Sequence, residues 1–369
     1  MKATDVSISA HATLATLGKI SPEVFGAVIA PRLGAERAEV LAGPRAGHDA
    51  AVIRMGAGRV MAVTTDPLSI IPALGIARSA RWACHLIASD LWTTGIPPAY
   101  ASVSFALPPD FSDEAFTEYW SAMSDEWARL GVAVVTGHTG RYEGCDLSIV
   151  GAATLIGVGD EGRYVTPAMA FPGDRVIVTK GCAIESAVVI ALLAPERVGH
   201  ALVAAGLGED ALAKLQAMES QVSVVADCRA ALRVGVRDMG VTALHDATEG
   251  GVLGGLVELA KACGHDLRID RARIPLSAEV RIACQVLGVD PFVSLAEGAL
   301  LCCARAEHAA AVLAALAEEG IVAADIGEVM KGSGRVWLTG EDGRVLTLDE
   351  PTSDPYWAAY ATAVREGWK

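Results

Sequence analysis

Aspartate and histidine side chains stand among small residues in three segments of the first half of the chain. These are Gly47-His48-Asp49-Ala50-Ala51, Thr64-Thr65-Asp66 and Thr136-Gly137-His138-Thr139-Gly140. A carboxylate at a strand end offers a hard oxygen to a hard cation, and glycine or alanine beside it leaves room for a polyphosphate. Because Mg²⁺ is held by a few carboxylates plus phosphate oxygens and water, this set, with Ser89-Asp90 as a further candidate, is typical of a Mg-nucleotide site.

Periodicity predicts the elements that must position these side chains. Residues alternate between apolar and small or charged from Ala50 to Val63, which predicts strands joined through Gly56-Ala57-Gly58. A helix is predicted to begin at Ser79 and to end at Gly95-Ile96-Pro97-Pro98. Asp90 lies in that helix beside its apolar stripe, so we expect a partner that compensates the buried carboxylate.

Further elements complete the first half. A helix is predicted from about Ser112 to Leu130, followed by a strand over 132–135 and a turn that carries His138. A last strand is predicted from Leu147 to Ile156.

The chain is predicted to fold as two domains behind an N-terminal arm, because 369 residues exceed one ordinary core. Residues 1–44 are interpreted as an arm with one helix near Ser21-Pro22-Glu23, which covers a nucleotide or a partner subunit. Residues 45–170 and 171–369 are interpreted as the two domains, with Pro172-Gly173-Asp174 at the boundary. The second domain alternates helical stretches with short strands, which indicates a mixed α/β domain.

Composition excludes several classes of protein. A formal charge of -14 argues against a nucleic-acid surface or an anionic membrane, so any bound phosphate must be neutralised by a metal. Eight cysteines without a Cys-x-x-Cys pair disfavour zinc ribbons and iron-sulfur sites, and we interpret them as buried free thiols. Charges interrupt every apolar segment, so we expect no membrane span and a cytoplasmic location.

A second group of polar residues occurs at 245–251, His245-Asp246-Ala247-Thr248-Glu249-Gly250-Gly251, between a predicted strand and a helix that Gly264 ends. Glycines there expose amide groups at the positive end of the helix, which favours an anion site. The alternative is an ordinary helix capped by Asp246 or Thr248. Lys180, beside Gly181, is expected to contact a phosphate, the alternative being a solvated lysine.

These segments resemble, over nearly the whole chain, the superfamily of aminoimidazole ribonucleotide (AIR) synthetase, thiamine-monophosphate kinase, selenophosphate synthetase and HypE. There, Gly-Asp-Asp-Ala-Ala-Val, Thr-Asp, Asn-Asp-Leu and Gly-Gly-Asp-Thr segments bring carboxylates to nucleotide phosphates. The similar positions here are 47–52, Thr65-Asp66, Ser89-Asp90-Leu91 and 136–139. The turn at 245–251 resembles the HypE-type Arg-Asp-Pro-Thr-Arg-Gly-Gly stretch, and segments 296–301, 326–329 and 334–336 follow in the HypE order.

The resemblance implies an α+β, mixed α/β, two-domain PurM-like fold whose N-terminal sheet domain dimerises, with ATP and Mg²⁺, or Mn²⁺, along the seam. The metal ligands and catalytic residues that we assign are Asp49, Asp66, Asp90 and His138. The nucleotide or substrate contacts that we assign are His48, Thr65, Lys180, Asp246, Thr248, Glu249, Gly250 and Gly251. The expected partners are a second copy of the chain and a small acceptor molecule.

The chain departs from the superfamily at His48 and His138, which stand where aspartates are usual. Imidazole suits Zn, Mn, Fe or Ni better than Mg²⁺, so metal choice or stoichiometry is expected to differ, and a neutral histidine also offers a hydrogen bond to phosphate. The alternative is a site that no longer turns over.

The cysteines depart as well. HypE-type enzymes carry a carbamoyl group on a C-terminal cysteine, whereas no cysteine follows Cys303 here. Selenophosphate synthetase uses a cysteine near the N-terminus, whereas the first here is Cys84. Because that chemistry requires a thiolate, neither reaction is expected.

We therefore expect phosphoryl transfer from ATP to an oxygen of an unidentified small substrate, as the final product or as activation. The first alternative is a thiamine-phosphate-type kinase, which Thr64-Thr65-Asp66 favours. The second is a non-catalytic nucleotide-binding maturation factor, which His48 and His138 favour, and a metal-storage protein is a third.

Overall fold

The computed structural model describes residues 18–146, 149–348 and 354–369, which contain two β-sheets with helices packed against them. The strands are β1 (Val40–Ala42), β2 (Ala51–Gly56), β3 (Arg59–Ser69), β4 (Tyr100–Leu107), β5 (Ala133–Arg141), β6 (Ile149–Asp160), β7 (Arg175–Thr179), β8 (Val241–Ala247), β9 (Asp266–Asp270), β10 (Ala299–Ala304), β11 (Ala323–Met330), β12 (Val336–Thr339) and β13 (Val345–Leu348). The α-helices are α1 (Pro22–Val24), α2 (Ile76–Trp92), α3 (Asp113–Arg129), α4 (Ile184–Leu193), α5 (Pro195–Ala204), α6 (Ala211–Ala217), α7 (Val225–Arg233), α8 (Gly251–Cys263), α9 (Ala278–Leu287), α10 (Ala309–Glu318) and α11 (Pro355–Arg365). Shorter helical turns are Phe25–Ile29, Pro167–Met169, Met218–Gln221, Arg237–Met239 and Arg271–Arg273.

The first sheet has six strands in the order β1-β2-β3-β6-β4-β5. Neighbours are antiparallel except β4 and β5, which run parallel. Helices α2 and α3 cover one face, and Ile87, Phe105 and Trp127 are buried between helices and sheet. The strands predicted on either side of Gly56-Ala57-Gly58 are confirmed as β2 and β3.

Helix α2 begins at Ile76, so the predicted start at Ser79 is wrong. Gly75, with φ at 75°, is the N-cap, and Ser79 lies inside the first turn, where its hydroxyl donates to the Gly75 carbonyl at 2.7 Å. Helix α3 confirms the prediction, because Ser112 is its N-cap and accepts the N–H of Ala115 at 3.1 Å. The cap of α1 is also as predicted, since the Ser21 hydroxyl accepts the N–H of Val24.

Strand β5 continues to Arg141, so the predicted turn at His138 is wrong. The strand extends through Gly137 because β4 pairs with it in parallel along its whole length, a long-range contact that local residues do not reveal. As the edge strand, β5 exposes residues 133–139. Strand β6 begins at Ile149 among the described residues, and Leu147, where it was predicted to begin, lies outside them.

The second sheet has seven strands in the order β13-β12-β9-β11-β7-β10-β8. Only β9 and β12 pair in parallel. Helices α4, α5, α6, α8, α9 and α11 pack on one face, and α7 and α10 on the other. Because both faces are covered, central strands such as Ala299–Ala304 are buried along their whole length.

Helix α8 ends at Gly264, with φ at 69°, as predicted. Neither Asp246 nor Thr248 caps its start, so that prediction is wrong. Gly250, with φ at 81°, is the N-cap, and no side chain bonds to the first turn. Strand β8 continues to Ala247, which places Asp246 inside a strand.

Helix α2, which packs on the first sheet, contacts β8, the edge strand of the second sheet. The helix that carries Asp90 therefore lies against the strand that carries Asp246. Within the described ranges no single helix is long and apolar enough to cross a bilayer, and α4 and α5, which reach that length only together, are bent by 113°.

Candidate metal and nucleotide site

Asp49 lies where the two domains touch. Two positions before it is Gly47, whose φ is 73°. A Cβ at Gly47 would lie 2.6 Å from the carbonyl oxygen of Glu258 on α8, so only glycine lets this segment lie so close to α8. Nδ1 of His245, on β8, lies 2.9 Å from Oδ1 of Asp49, and its Nε2 lies 2.9 Å from Oε2 of Glu258. His245 therefore links a first-domain carboxylate to a second-domain helix.

Both ring nitrogens of His245 are occupied by these contacts. Burial acts to lower the pKa of His245, but Asp49 and Glu258 outweigh it and raise that pKa well above its ordinary value. Burial acts to raise the pKa of Glu258, but the hydrogen bond to His245 outweighs burial, so this pKa is below its ordinary value. An imidazolium has no free lone pair, so His245 orients Asp49 and does not itself bind a cation.

Asp246 is the carboxylate best placed to share a cation with Asp49. Ligand atoms of Asp49, His245 and Asp246 lie within 4.8 Å of one another. Asp246 is 1% exposed, and neither of its buried oxygens has a hydrogen-bond partner in the described part of the chain. Burial, together with the charge of Asp49, raises the pKa of Asp246 to about 8. Such a carboxylate is costly to bury alone and fits a divalent cation.

Asp66 and Asp90 extend this pair into a carboxylate cluster, consisting of Asp49, Asp66, Asp90 and Asp246. The Thr64 hydroxyl lies 2.8 Å from the carbonyl oxygen of Asp49 and 3.2 Å from Oδ2 of Asp90. Asp66 follows Thr64 by two positions along β3 and so shares its face. Burial, and then the charges of the other three members, raise the pKa of Asp90 well above its ordinary value. The three aspartates predicted from separate segments therefore come together.

Lys19 brings positive charge to the carboxylate cluster. Its Nζ donates to Oγ1 of Thr248 at 2.9 Å, and its main-chain N–H donates to Oε2 of Glu249 at 2.7 Å. Burial acts to lower the pKa of Lys19, but Glu258 and the cluster raise it above its ordinary value. Burial raises the pKa of Asp66 to about 6, which the charge of Lys19 opposes. Nothing in the sequence had singled out Lys19, although it lies in the arm predicted to cover a nucleotide.

His138 does not join the cluster of its own chain, so its predicted role as a ligand there is wrong. Across the sheet, Asp66 pairs with Ala153 on β6, Ala153 pairs with Val103 on β4, and Val103 pairs with Gly137 on β5. His138 is one position further and so lies on the opposite face from Asp66. There its Nε2 lies 2.6 Å from the hydroxyl of Tyr142.

Thr65 is also on that opposite face, where its hydroxyl donates to the carbonyl of Ala153 at 3.1 Å. The predicted nucleotide contact of Thr65 inside the cluster is therefore wrong, and Thr64 occupies that position. The alternation of residues along β3 could have predicted this face, because Thr64 lies two and four positions after the buried residues Ala62 and Val60.

Lys180 has no N–H left for a phosphate, so its predicted role is wrong. Its Nζ donates to the carbonyls of Gln221 and Ser223 at 3.1 and 2.7 Å and to Oδ2 of Asp227 at 2.9 Å. An ammonium has three N–H groups, and all are used within the second domain.

The glycine N–H groups at the start of α8 already have hydrogen-bond acceptors. The N–H of Gly250 donates to Oδ2 of Asp354 at 2.8 Å, and that of Gly251 to the carbonyl of Thr248 at 3.1 Å. With the carboxylates of Glu249 and Asp354 adjacent, this turn repels an anion. The predicted anion site at Gly250 and Gly251 is wrong, and Thr248 and Glu249 hold Lys19 instead.

His48, next to Asp49, is a neutral imidazole. Both of its ring nitrogens are buried without a hydrogen-bond partner among the described residues, and burial lowers the pKa of His48 to about 4. A neutral ring has one N–H to donate, so a hydrogen bond to phosphate stays a prediction.

Comparison with known proteins identifies the family of the chain. The family models described as AIR synthase related protein, N-terminal domain and C-terminal domain, match residues 47–158 and 172–338. The chain is 30% identical over 325 residues to carbamoyl dehydratase HypE of Rhizobium leguminosarum bv. viciae, covering 80% of this chain and 85% of that protein.

Solved structures similar to this chain include HypE and ThiL proteins. The crystal structure of E. coli HypE, a hydrogenase maturation protein, matches with a TM-score of 0.65 and 27% identity, over 80% of this chain and 87% of that one. AaThiL complexed with AMPPCP and TMP matches with a TM-score of 0.60 and 20% identity, over 83% and 90% of the two chains. The second likeness shows a shared fold.

Proposed function

This chain belongs to the AIR synthase related family, and we propose that it is an ATP-dependent enzyme that transfers the terminal phosphoryl group of ATP to an oxygen of a small acceptor. The observation that carries the proposal is Asp246, a buried carboxylate that has no hydrogen-bond partner among the described residues and whose oxygen lies within 4.8 Å of an oxygen of Asp49. AaThiL, which shares this fold, was solved in complex with AMPPCP, and this supports nucleotide binding by the fold.

The carboxylate cluster would hold Mg²⁺, or Mn²⁺, because its ligands are all carboxylate oxygens. The bound cation would neutralise the phosphate oxygens of ATP as the terminal group moves. His245 keeps Asp49 oriented toward the cluster, Lys19 offers a charged donor to phosphate, and the N–H of His48 offers a neutral one. In the transfer, a bond forms from the acceptor oxygen to the γ-phosphorus, the bond from that phosphorus to the bridging oxygen breaks, ADP leaves, and the hydroxyl proton passes to solvent.

The carbamoyl dehydratase activity of the relatives is not part of the proposal. Burial raises the pKa of seven of the chain's eight cysteine thiols, which keeps them protonated and unreactive. The seven are Cys84, Cys182, Cys228, Cys263, Cys284, Cys302 and Cys303.

A homodimer that joins the open faces of two first sheets is part of the proposal. That face exposes Tyr100, Ile149 and Val158, at 46, 52 and 38%. Exposed large apolar side chains on one face of a sheet favour an interface. Because Asp66 lies on the opposite face of the sheet from Thr65 and Val158, the nucleotide is proposed beside the carboxylate cluster and not along the seam between the subunits.

Two alternatives remain open. A thiamine-phosphate-type kinase is favoured by the fold shared with AaThiL, and a nucleotide-binding maturation factor without turnover is favoured by His48 and His138. ATP consumption with Mg²⁺ and with Mn²⁺, measured against hydroxyl acceptors that include thiamine monophosphate, separates them. The proposal expects metal-dependent turnover with an acceptor, whereas thermal stabilisation by Mg-AMPPCP without turnover for any acceptor would favour the maturation factor.

A further inference from the structure

Three glutamates line the second-domain side of the site, and we call them the glutamate wall. Glu185 is in the first turn of α4, Glu249 precedes α8, and Glu297 precedes β10. Burial, and then the charges of Asp354, Glu249 and Asp66, raise the pKa of Glu185 to about 8. Burial, and then the charges of Asp246 and Glu185, raise the pKa of Glu297 well above its ordinary value. The wall is therefore continuous with the carboxylate cluster.

Glu185 is the member whose position a packing role does not explain. It is 5% exposed, and its Oε2 has no hydrogen-bond partner within the described ranges. Leaving such an oxygen without a donor costs about 1–3 kcal/mol. An apolar residue would fill the same space without that cost, so the carboxylate indicates a ligand that donates to it.

The charge of Lys19 acts to lower the pKa of Glu297, but one ammonium does not neutralise three glutamates. No lysine or arginine side chain forms an ion pair with Glu185, Glu249 or Glu297 in the part of the chain that the structure describes. Lys19 reaches Glu249 only through its neutral main-chain N–H, and its ammonium lies with Thr248. The neighbouring Asp354 differs, because its two oxygens accept the N–H groups of Gly250 and Tyr356 at 2.8 Å each.

The indole N–H of Trp357 adds an unused donor beside Glu249. Its Nε1 is buried and has no hydrogen-bond partner among the described residues. A Cβ at Gly18 would lie 2.5 Å from Oε2 of Glu249 and 2.9 Å from Nε1 of Trp357, so both groups face one position.

We propose that the glutamate wall binds an ammonium group, and that the phosphoryl acceptor is therefore a small molecule that carries both a hydroxyl and an amine. This inference rests on the proposed function, since it names the acceptor of the same site. An ammonium offsets the charge of Glu185 and its neighbours, whereas a carboxylate or phosphate in that place is repelled. The ammonium keeps its protons, and the hydroxyl oxygen alone forms the new bond to phosphorus.

Thermal unfolding of the full chain with Mg²⁺ and AMPPCP tests the inference. Ethanolamine is titrated at constant ionic strength beside ethylene glycol, its neutral counterpart, and glycolate, its anionic counterpart. At roughly 1 kcal/mol per heavy atom, the four heavy atoms of ethanolamine give a Kd of about 1 mM. We expect a saturable rise in Tm with ethanolamine and none with the other two.

Two variants assign the response to the wall. Glu185→Gln keeps the shape of the side chain and should abolish the ethanolamine response while leaving the AMPPCP response intact. Glu196→Gln, on the exposed first turn of α5, is the matched control and should behave as wild type. Because Glu185→Gln removes an unpaired buried carboxylate, its Tm without ligand should equal or exceed that of wild type.

The outcomes separate the two proposals. Equal responses to ethanolamine and ethylene glycol, no ethanolamine response, or a full response in Glu185→Gln would each overturn the amine site and leave the proposed function standing. Absence of any Mg-AMPPCP response in wild type would contradict the proposed function itself, and the amine acceptor with it.

Discussion

The side chain of His245 lies between two acidic groups from different parts of the fold. Its Nδ1 is 2.9 Å from Oδ1 of Asp49, ahead of β2, and its Nε2 is 2.9 Å from Oε2 of Glu258, on α8. Since Asp49 also belongs to the carboxylate cluster, one buried contact both holds the domains together and orients a proposed metal ligand. Stability and metal binding are therefore linked at this residue.

Replacement of His245 by glutamine tests that link. The change leaves Asp49 and Glu258 without their shared cation, which should lower the free energy of unfolding by about 3–5 kcal/mol. Urea denaturation measures the loss. His200→Gln, at an exposed position on α5, is the control and should match wild type. Equal urea midpoints for the two variants would show that the contact contributes little.

Asp266 provides a prediction about pH. Its oxygens accept the N–H groups of Ser333, Arg335 and Trp337 at 2.7, 3.0 and 2.9 Å. Burial acts to raise the pKa of Asp266, but these bonds lower it below its ordinary value. The folded-state pKa is thus below the unfolded one, so the contribution of Asp266 to stability is present above about pH 4 and is lost as the pH falls through the folded pKa.

Asp266→Asn should therefore destabilise the protein by about 1–3 kcal/mol at neutral pH. Its difference from wild type should shrink in unfolding experiments taken progressively below about pH 4. Asp110→Asn, at an exposed site, is the control and should track wild type. A difference that is the same at every pH would be incompatible with a depressed pKa at Asp266.

The proposed homodimer predicts the effect of a charge on the open face of the first sheet. Val158→Lys introduces an ammonium on that face and should weaken self-association at least about tenfold, or ~1.4 kcal/mol. Analytical ultracentrifugation measures the change. Val345→Lys places the same charge on β13, where the side chain is 56% exposed, and should leave the assembly intact. A dimer that tolerates Val158→Lys joins through another surface.

Removal of the charge at Asp246 should stabilise the protein in metal-free buffer. Its carboxylate is buried beside Asp49, and burial raises its pKa to about 8. Asp246→Asn relieves this repulsion and should add at least about 1 kcal/mol to the free energy of unfolding. Thermal unfolding in EDTA is the measurement. A variant less stable than wild type in EDTA would indicate that Asp246 holds the fold together.

Local patterns predicted much of this structure because they depend on neighbours in sequence. Alternation identified β2 and β3, Ser112 identified the start of α3, and Gly264 the end of α8. Asp49, Asp66 and Asp90 also come together as expected.

Contacts between distant residues account for what the sequence did not reveal. His138 stays in a strand because β5 pairs with β4, and Lys180 is held by Gln221, Ser223 and Asp227. Lys19 reaches the cluster from an arm without a recognisable motif. The side of β3 on which Thr64 lies is the exception, because the alternation of residues in the sequence already indicated it.

Calorimetric titration of AMPPCP tests the account most directly, with wild type, Asp246→Asn and Asp110→Asn each measured in Mg²⁺ and in EDTA. We expect wild type and Asp110→Asn to bind the nucleotide only with Mg²⁺, and Asp246→Asn to bind at least about tenfold more weakly, or ~1.4 kcal/mol. Equal affinity of wild type and Asp246→Asn in Mg²⁺, or equal affinity of wild type with and without the cation, would contradict a metal-nucleotide site at this cluster.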